Sequence, residues 1–369
     1  MSSVEILLTG DLILDEPDPD HWLSGIAPLT RKADLTIGHL EVPHTRRGQE
    51  RADDIPAPAA DPAHLAALQR AGFAAVTLAG NHMADQGVEG IEDTLAGLEQ
   101  AGLAHCGAGA SLAQAQRPAA LDRCGRRVGV LSFNCVGPQG SWAGADRAGV
   151  AFVRVASSDG APIAPSADLT SVDASSLAEL RALVERARAQ FDLLIVAFHK
   201  GVVHRPAVLA PYERPLSQTA IDAGADVVVG HHAHIIKGIE LYRGRPIFHG
   251  LGNGCVVTRA LSPAERHPQR AAWVRRRREL FNFEPDPAYV LAPFHPEAVH
   301  GMMARVIQQS NGTLDVGFVP VYIEAPGRPV LASPEQAQRI RDYVSDITIK
   351  GGLPPVDLVL NGDAVRVLP

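Results

Sequence analysis

Short apolar runs alternate with amphipathic stretches along most of the 369 residues, the rhythm of an α/β fold. Residues 4–8 read as a strand ending in Thr9-Gly10-Asp11, and residues 73–78 as one ending in Ala79-Gly80-Asn81-His82. Between them Asp61-Pro62 supplies an N-cap and a first-turn proline for a helix to about Arg70. Val88, Ile91, Leu95 and Leu98 recur at helical spacing over residues 88–100, with Gly102 at the C-cap. The pattern then predicts strands over 127–133, 191–198 and 226–229, and helices over 175–190 and about 215–223. A hairpin pairs 239–242 with 246–248 around Arg243-Gly244-Arg245, and 334–347 reads as a surface helix.

Two stretches break this rhythm. Residues 137–171 are rich in Gly, Ala, Ser and Pro, and residues 258–293 carry Pro, Arg and aromatics. Loops of this length are functional or disordered, so lids over a site and variable surface insertions are equally good readings. The organisation expected is one catalytic domain over 1–330, with a C-terminal helix and tail over 331–369 packed on it.

Composition narrows the function more than the fold. Hydrophobic residues make up 46% and charged residues 20%, and the net charge of −7 gives no reason to expect nucleic acid or an acidic membrane as partner. The basic run Arg275–Arg278 is local. Cys106, Cys124, Cys135 and Cys255 form neither a metal-binding spacing nor a disulfide framework. The N-terminus lacks a signal-peptide pattern, and no run approaches a membrane span, so a cytoplasmic protein is expected. Fifteen histidines, many beside Gly or Asp at the ends of apolar runs, are the feature that stands out.

Five polar clusters follow one event, the end of an apolar strand: Asp11; His39-Leu40-Glu41; Asn81-His82; His199; and His232-Ala233-His234. Ligands bind beyond the carboxyl ends of strands in α/β sheets, so clusters spread over more than 200 residues would converge. Carboxylate, amide and imidazole donors together suit Mn, Fe, Zn, Co or Ni. A bridging carboxylate allows two ions about 3.5–4 Å apart. Each cluster alone is more often a turn or a structural histidine; the set is a metal site.

In chain order, Gly10-Asp11, Leu40-Glu41, Gly80-Asn81-His82, His199-x-Gly201 and Gly230-x-His232-x-His234 resemble the CapA family of calcineurin-like proteins associated with poly-γ-glutamate synthesis. Residues 230–242, Gly250-Leu251-Gly252-Asn253 and residues 293–297 extend the resemblance, which covers about residues 4–325. It implies a calcineurin-like metallophosphatase fold, an α/β/β/α sandwich with its metal site at the strand C-terminal ends. It further implies that Glu41 bridges two divalent ions, that Asn81, His199 and His232 bind one ion, and that Asp11 and His234 bind the other. His82 becomes the acid beside the metals, oriented by Asp85, and His231 supports the ligands from behind.

Departures from the family pattern shape the expected reaction. Leu12-Ile13 follows Asp11 where metallophosphatases carry Asp-x-His, so the second ion looks under-ligated unless His39 replaces the missing ligand. Lys200 stands where the family usually has Trp, and Gly254 where it usually has Phe. A cation gained and an aromatic lost imply a roomier pocket for an anionic group, with Lys200, His204, Trp273 and Arg275 as substrate-binding candidates. Phosphoester hydrolysis, with His82 assisting the leaving group, is one expectation. The other is epimerisation of a peptide held by its free C-terminal carboxylate, with Asp11 and His295 as the two bases. The resemblance reaches a branch of the family that epimerises the C-terminal tryptophan of lasso-peptide precursors. A scaffold that binds polyanion without chemistry is the third.

Overall fold

Two sheets lie face to face, and the order of their strands explains why polar clusters so distant in sequence meet. The computed structural model describes residues 2–51, 55, 57–161, 163, 167–262 and 264–369. Among these, the larger sheet runs Asp357–Asn361, Ala364–Leu368, Leu314–Glu324, His300–Gln308, Val4–Leu14, Leu35–Leu40, Ala75–Thr77, Ala104–Cys106. The smaller runs Ile239–Tyr242, Arg245–Phe248, Val227–His231, Leu193–His199, Arg126–Asn134, Ala119–Arg123. Within each sheet the strands that bear the clusters are parallel, so their carboxyl ends share an edge.

Strand residues alternate between two cores. Ile6, Leu8 and Ile37 of one sheet pack against Val130, Ile195 and Val229 of the other. The intervening Leu7 and Val76 face Leu65, Leu68, Ile91 and Leu98 on the outer helices. Behind the smaller sheet, Val196 and Phe198 meet Leu180, Val184 and Leu216. The layers are therefore helix, sheet, sheet, helix. Strands buried on both faces read as nearly unbroken apolar runs, as seen at 193–198.

Several expectations change. The first strand does not stop before Asp11 but runs Val4–Leu14, with a register shift between Asp11 and Leu12. Asn253–Val257 pairs parallel with its far half, and the backbones touch: a Cβ on Gly10 would stand 1.9 Å from the Gly252 carbonyl oxygen. The helix Pro334–Lys350 lies at the surface with one face buried. A Ser333–Gln336 capping box starts it, and Ile340, Val344 and Ile347 close the inter-sheet core. The chain's last 13 residues are not a tail but carry a hairpin that joins the larger sheet. Within 258–293 lies an unpredicted helix, Pro268–Phe281, whose only buried residues are Val274 and Arg277. Without an apolar stripe it leaves no periodic trace in the sequence. The described part of 137–171 forms short strand pairs, including Val155–Ser157 with Leu169–Val172.

Candidate metal centre and its cavity

The carboxyl edge of the two sheets assembles the predicted ligands. Asp11, His39 and Glu41 come from the larger sheet, His199 ends a strand of the smaller, and Asn81, His232 and His234 lie on the turns beyond. His232 and His234 hold left-handed backbone conformations (φ 84° and 51°), which lets both rings project from one short turn. Asn81 Oδ1 stands 2.7 Å from His199 Nε2, and His232 Nδ1 stands 3.1 Å from the same nitrogen. Glu41 Oε1 lies 3.9 Å from His199 Nε2 and 3.4 Å from His234 Nε2, between the two ligand sets. Asp11 accepts from the His232 amide (3.2 Å) and lies 3.6 Å from His234 Nδ1.

These donors fit divalent ions. Both Glu41 oxygens, His39 Nε2 and His199 Nδ1 are buried without a hydrogen-bond partner, an arrangement that is costly unless something is bound there. Asp11, Glu41 and His234 offer ligand atoms within 4.8 Å of one another, as do Asp11, His39 and His199. His39 thus offers a ligand atom beside Asp11. Its Nδ1 is held by Thr77 Oγ1 (2.9 Å), which aims Nε2 at the centre, and its ring stacks on His231 at 4.6 Å. His231 Nε2 bonds the Thr9 carbonyl (3.1 Å).

Without ions the electrostatics are uneven. Burial, and then the neighbouring Glu41, raise the Asp11 carboxyl well above its usual range. Burial also opposes charge on Glu41, but His234 overrides it and holds the group near 2. His234 in turn is raised to about 9 against burial, mainly by Glu41. His199, His39 and His232 are driven down by burial and so present neutral rings, the form that binds metal.

A cavity opens above this floor, with about 730 Å³ of empty space counted together with the part open to solvent. Asn81, His82, His232 and His234 form its base, and Ile13, Val203, His204, Leu261, Trp273 and Phe294 are among its walls. His82 donates from Nδ1 to Asp85 (2.7 Å), which also accepts from the Ala57 amide (2.6 Å) on the facing wall. The lid expectation for 258–293 corresponds to the part of the wall built from Leu261, Arg270 and Trp273.

Four sequence expectations meet a different geometry. Lys200 is fully buried and turns away, bonded to Glu213 (2.7 Å), so it gives the cavity no cation. Gly254 makes no room, because a Cβ there would lie 2.8 Å from the Gly10 oxygen; backbone contact requires the glycine. Arg275 is exposed and borders a separate surface hollow. His295 is half-buried and lines a smaller neighbouring cavity with Asn253, on the other side of Phe294, and its Nδ1 accepts from the Glu297 amide (3.2 Å).

Other residues were missed. Asn253 Oδ1 accepts from His234 Nδ1 (2.9 Å) and so orients a ligand; its place in the Gly-Leu-Gly-Asn motif was the signal available. Arg270 lines the cavity while clasped by Glu50 (2.9 Å) and Glu265 (3.2 Å). Arg277 is buried, donates to the Pro293 carbonyl (2.5 Å), and lies over the Phe283 and Phe294 rings. Nothing in the spacing marked Arg270, and Arg277 stood out only as one member of the local basic run Arg275–Arg278.

Known proteins share this chain's sequence over the region that builds the centre. The sequence profile described as bacterial capsule synthesis protein PGA_cap matches residues 5–256. The capsule biosynthesis protein CapA of Bacillus anthracis is 26% identical over 65% of this chain and 55% of its own length. The PGA biosynthesis protein CapA of Bacillus subtilis is 27% identical over 65% of this chain and 58% of its own. A probable polyglutamine synthesis accessory protein of Mycobacterium tuberculosis is 33% identical over 63% and 58%. The matches thus span a little over half of these relatives. Among solved structures, the calcineurin-like phosphoesterase YfkN of Bacillus subtilis aligns with a TM-score of 0.41 at 10% identity, over 95% of this chain and 97% of that one. The chain belongs to the PGA_cap (CapA) family and has its calcineurin-like metallophosphatase fold, an α/β/β/α sandwich with the candidate metal centre at the strand C-terminal ends.

Proposed function

We propose that this chain is a metal-dependent epimerase that inverts the α-carbon of a peptide's C-terminal residue, with an aromatic residue such as the tryptophan of a lasso-peptide precursor as the fitting substrate. The two-sided cavity carries this reading. Its floor is a metal-ligand set, and its walls are apolar and aromatic: Ile13, Val203, Leu261, Trp273 and Phe294. A free carboxylate suits such a floor and an indole such walls.

Bound divalent ions, with Mn, Co, Ni, Fe and Zn all compatible, would polarise the carboxylate and acidify its α-hydrogen. The chain's residues move the proton: one base removes it and a second group returns one to the opposite face, so nothing leaves the substrate. Asp11, at the foot of His234, and His295 are the proposed pair; His82, held by Asp85, is a third acid-base group at the floor. Because Phe294 stands between His295 and the cavity, this assignment requires that ring to turn aside when substrate seats. His204 and Trp273 are the proposed substrate contacts. The free thiols of all four cysteines suit the cytoplasm, and no helix among the described residues is long and apolar enough to cross a membrane.

The His82–Asp85 pair favours a second reading, phosphoester hydrolysis with His82 protonating the leaving group. One experiment separates the two. The protein is incubated with Mn or Co and a peptide ending in free tryptophan in deuterated water. Deuterium at one α-carbon without cleavage supports the epimerase, and its absence together with phosphate release from a generic ester supports the esterase. His295→Ala should abolish exchange and spare metal binding; full exchange in that variant removes His295 from the mechanism.

A further inference from the structure

A buried lysine behind the cavity has no part in either reaction. Lys237 is 1% exposed, and among the described residues its ammonium is bonded to two backbone carbonyls, those of Arg205 and Val208, rather than to a carboxylate. Burying an ammonium on neutral acceptors is expensive, so the segment it ties is a place where order is needed. Both carbonyls belong to residues 201–212, the segment that contributes Val203 and His204 to the cavity wall.

That segment is strained. His204 and Ala207 both take left-handed conformations, φ 56° and 55°, within four residues of each other. Its ends are tied separately: the Gly201 amide donates to the Tyr212 hydroxyl (2.7 Å), and the Ala210 amide to Glu213 (2.7 Å). Lys237 ties the middle together with the His204 amide, which donates to the Ala233 carbonyl (3.0 Å). A Cβ on Gly250 would lie 2.7 Å from Lys237 Cγ, so that glycine leaves room for the lysine stem. His204, the residue so placed, is buried, stacks 6.0 Å from His234, and keeps Nδ1 without a partner.

We infer that Lys237 is a positioning residue, which holds the strained 201–212 segment so that Val203 and His204 form the substrate-facing wall beside the metal centre. The inference rests on the cavity being the substrate site, and holds for either reaction there.

The test uses the full-length protein carrying Lys237→Met. Amide exchange at Val203 and His204 should accelerate by about tenfold or more, while Mn affinity stays within about twofold of the parent. On whichever substrate the parent turns over, KM should rise about tenfold with kcat changed less than about threefold. A merely structural role would slow kcat and weaken the metal together. Unchanged exchange in the segment, or loss of Mn affinity in step with KM, overturns the inference. If the methionine variant does not fold, Lys237→Gln, which keeps one donor, is read on the same scales. The exchange and Mn measurements need no substrate, so failure of the epimerase reading leaves them decisive.

Discussion

The floor of the cavity and its walls are built by different means. Floor residues sit at the ends of strands whose neighbours are fixed on both faces, and the carboxylate of Glu41 and the rings of His199 and His39 are fully buried. Apart from Ile13 in the first strand, the walls come from outside the sheets, chiefly from the 201–212 segment and from the helix Pro268–Phe281 with its flanks. On that helix Arg270 is clasped by Glu50 and Glu265 near the surface and Arg277 is sandwiched among rings. A strand end can place a ligand within tenths of an ångström because the whole ladder resists its movement. A segment outside the sheets trades that precision for the freedom to vary, and on the proposed function the walls would set substrate choice.

This contrast can be broken or sharpened by measurement. The largest effect is expected beneath the floor. Lys200→Met leaves Glu213 buried and unpaired and should cost about 3–5 kcal/mol of unfolding free energy, seen in denaturant melts. A loss below about 1 kcal/mol would show that the floor is not braced from below. Acid should follow. His44 is buried, with its Nδ1 at the Val42 carbonyl (3.2 Å), and burial lowers it from 6.5 to about 4. The unfolded chain therefore binds this proton first, so the stability His44 contributes is present above pH 6.5 and is lost as pH falls towards 4. Its share is about 3 kcal/mol, removed from the pH-stability curve by His44→Gln.

Next comes Glu41→Gln, which should weaken metal binding about 100-fold, measured by metal content after dialysis, with the fold intact by circular dichroism. Trp273→Ala should raise KM for an aromatic-ended peptide about tenfold and leave metal content alone, as a change confined to the wall. Arg275→Ala should change neither by more than about twofold, since its side chain borders neither region. A strong effect there would move the wall's boundary.

Legibility in the sequence follows the same division. Strand ends announced the floor, because apolar runs stop where ligands begin, and Asp11, Glu41, Asn81, His199, His232 and His234 were all named from that transition. The helix Pro268–Phe281 stayed hidden because it buries a valine and an arginine rather than a stripe. Lys200 misled for a related reason. A lysine after a ligand histidine reads as a pocket cation, and only the position of Glu213, thirteen residues later, shows that it points inward. Gly254 was taken for an opened space when it marks a place where two backbones touch. Substitution against a family pattern tells that something has changed; the neighbour that absorbs the change lies elsewhere in the chain.

That backbone contact has a consequence for assembly. The first strand and Asn253–Val257 are paired with Asp11 opposite Asn253, the residue that orients His234. Two segments made some 240 residues apart must therefore meet in one alignment before the centre has all its donors. A slip of one residue would turn Asn253 to the opposite face and leave His234 unsupported. Retention of an added divalent ion would therefore report whether these two segments have met in the right alignment.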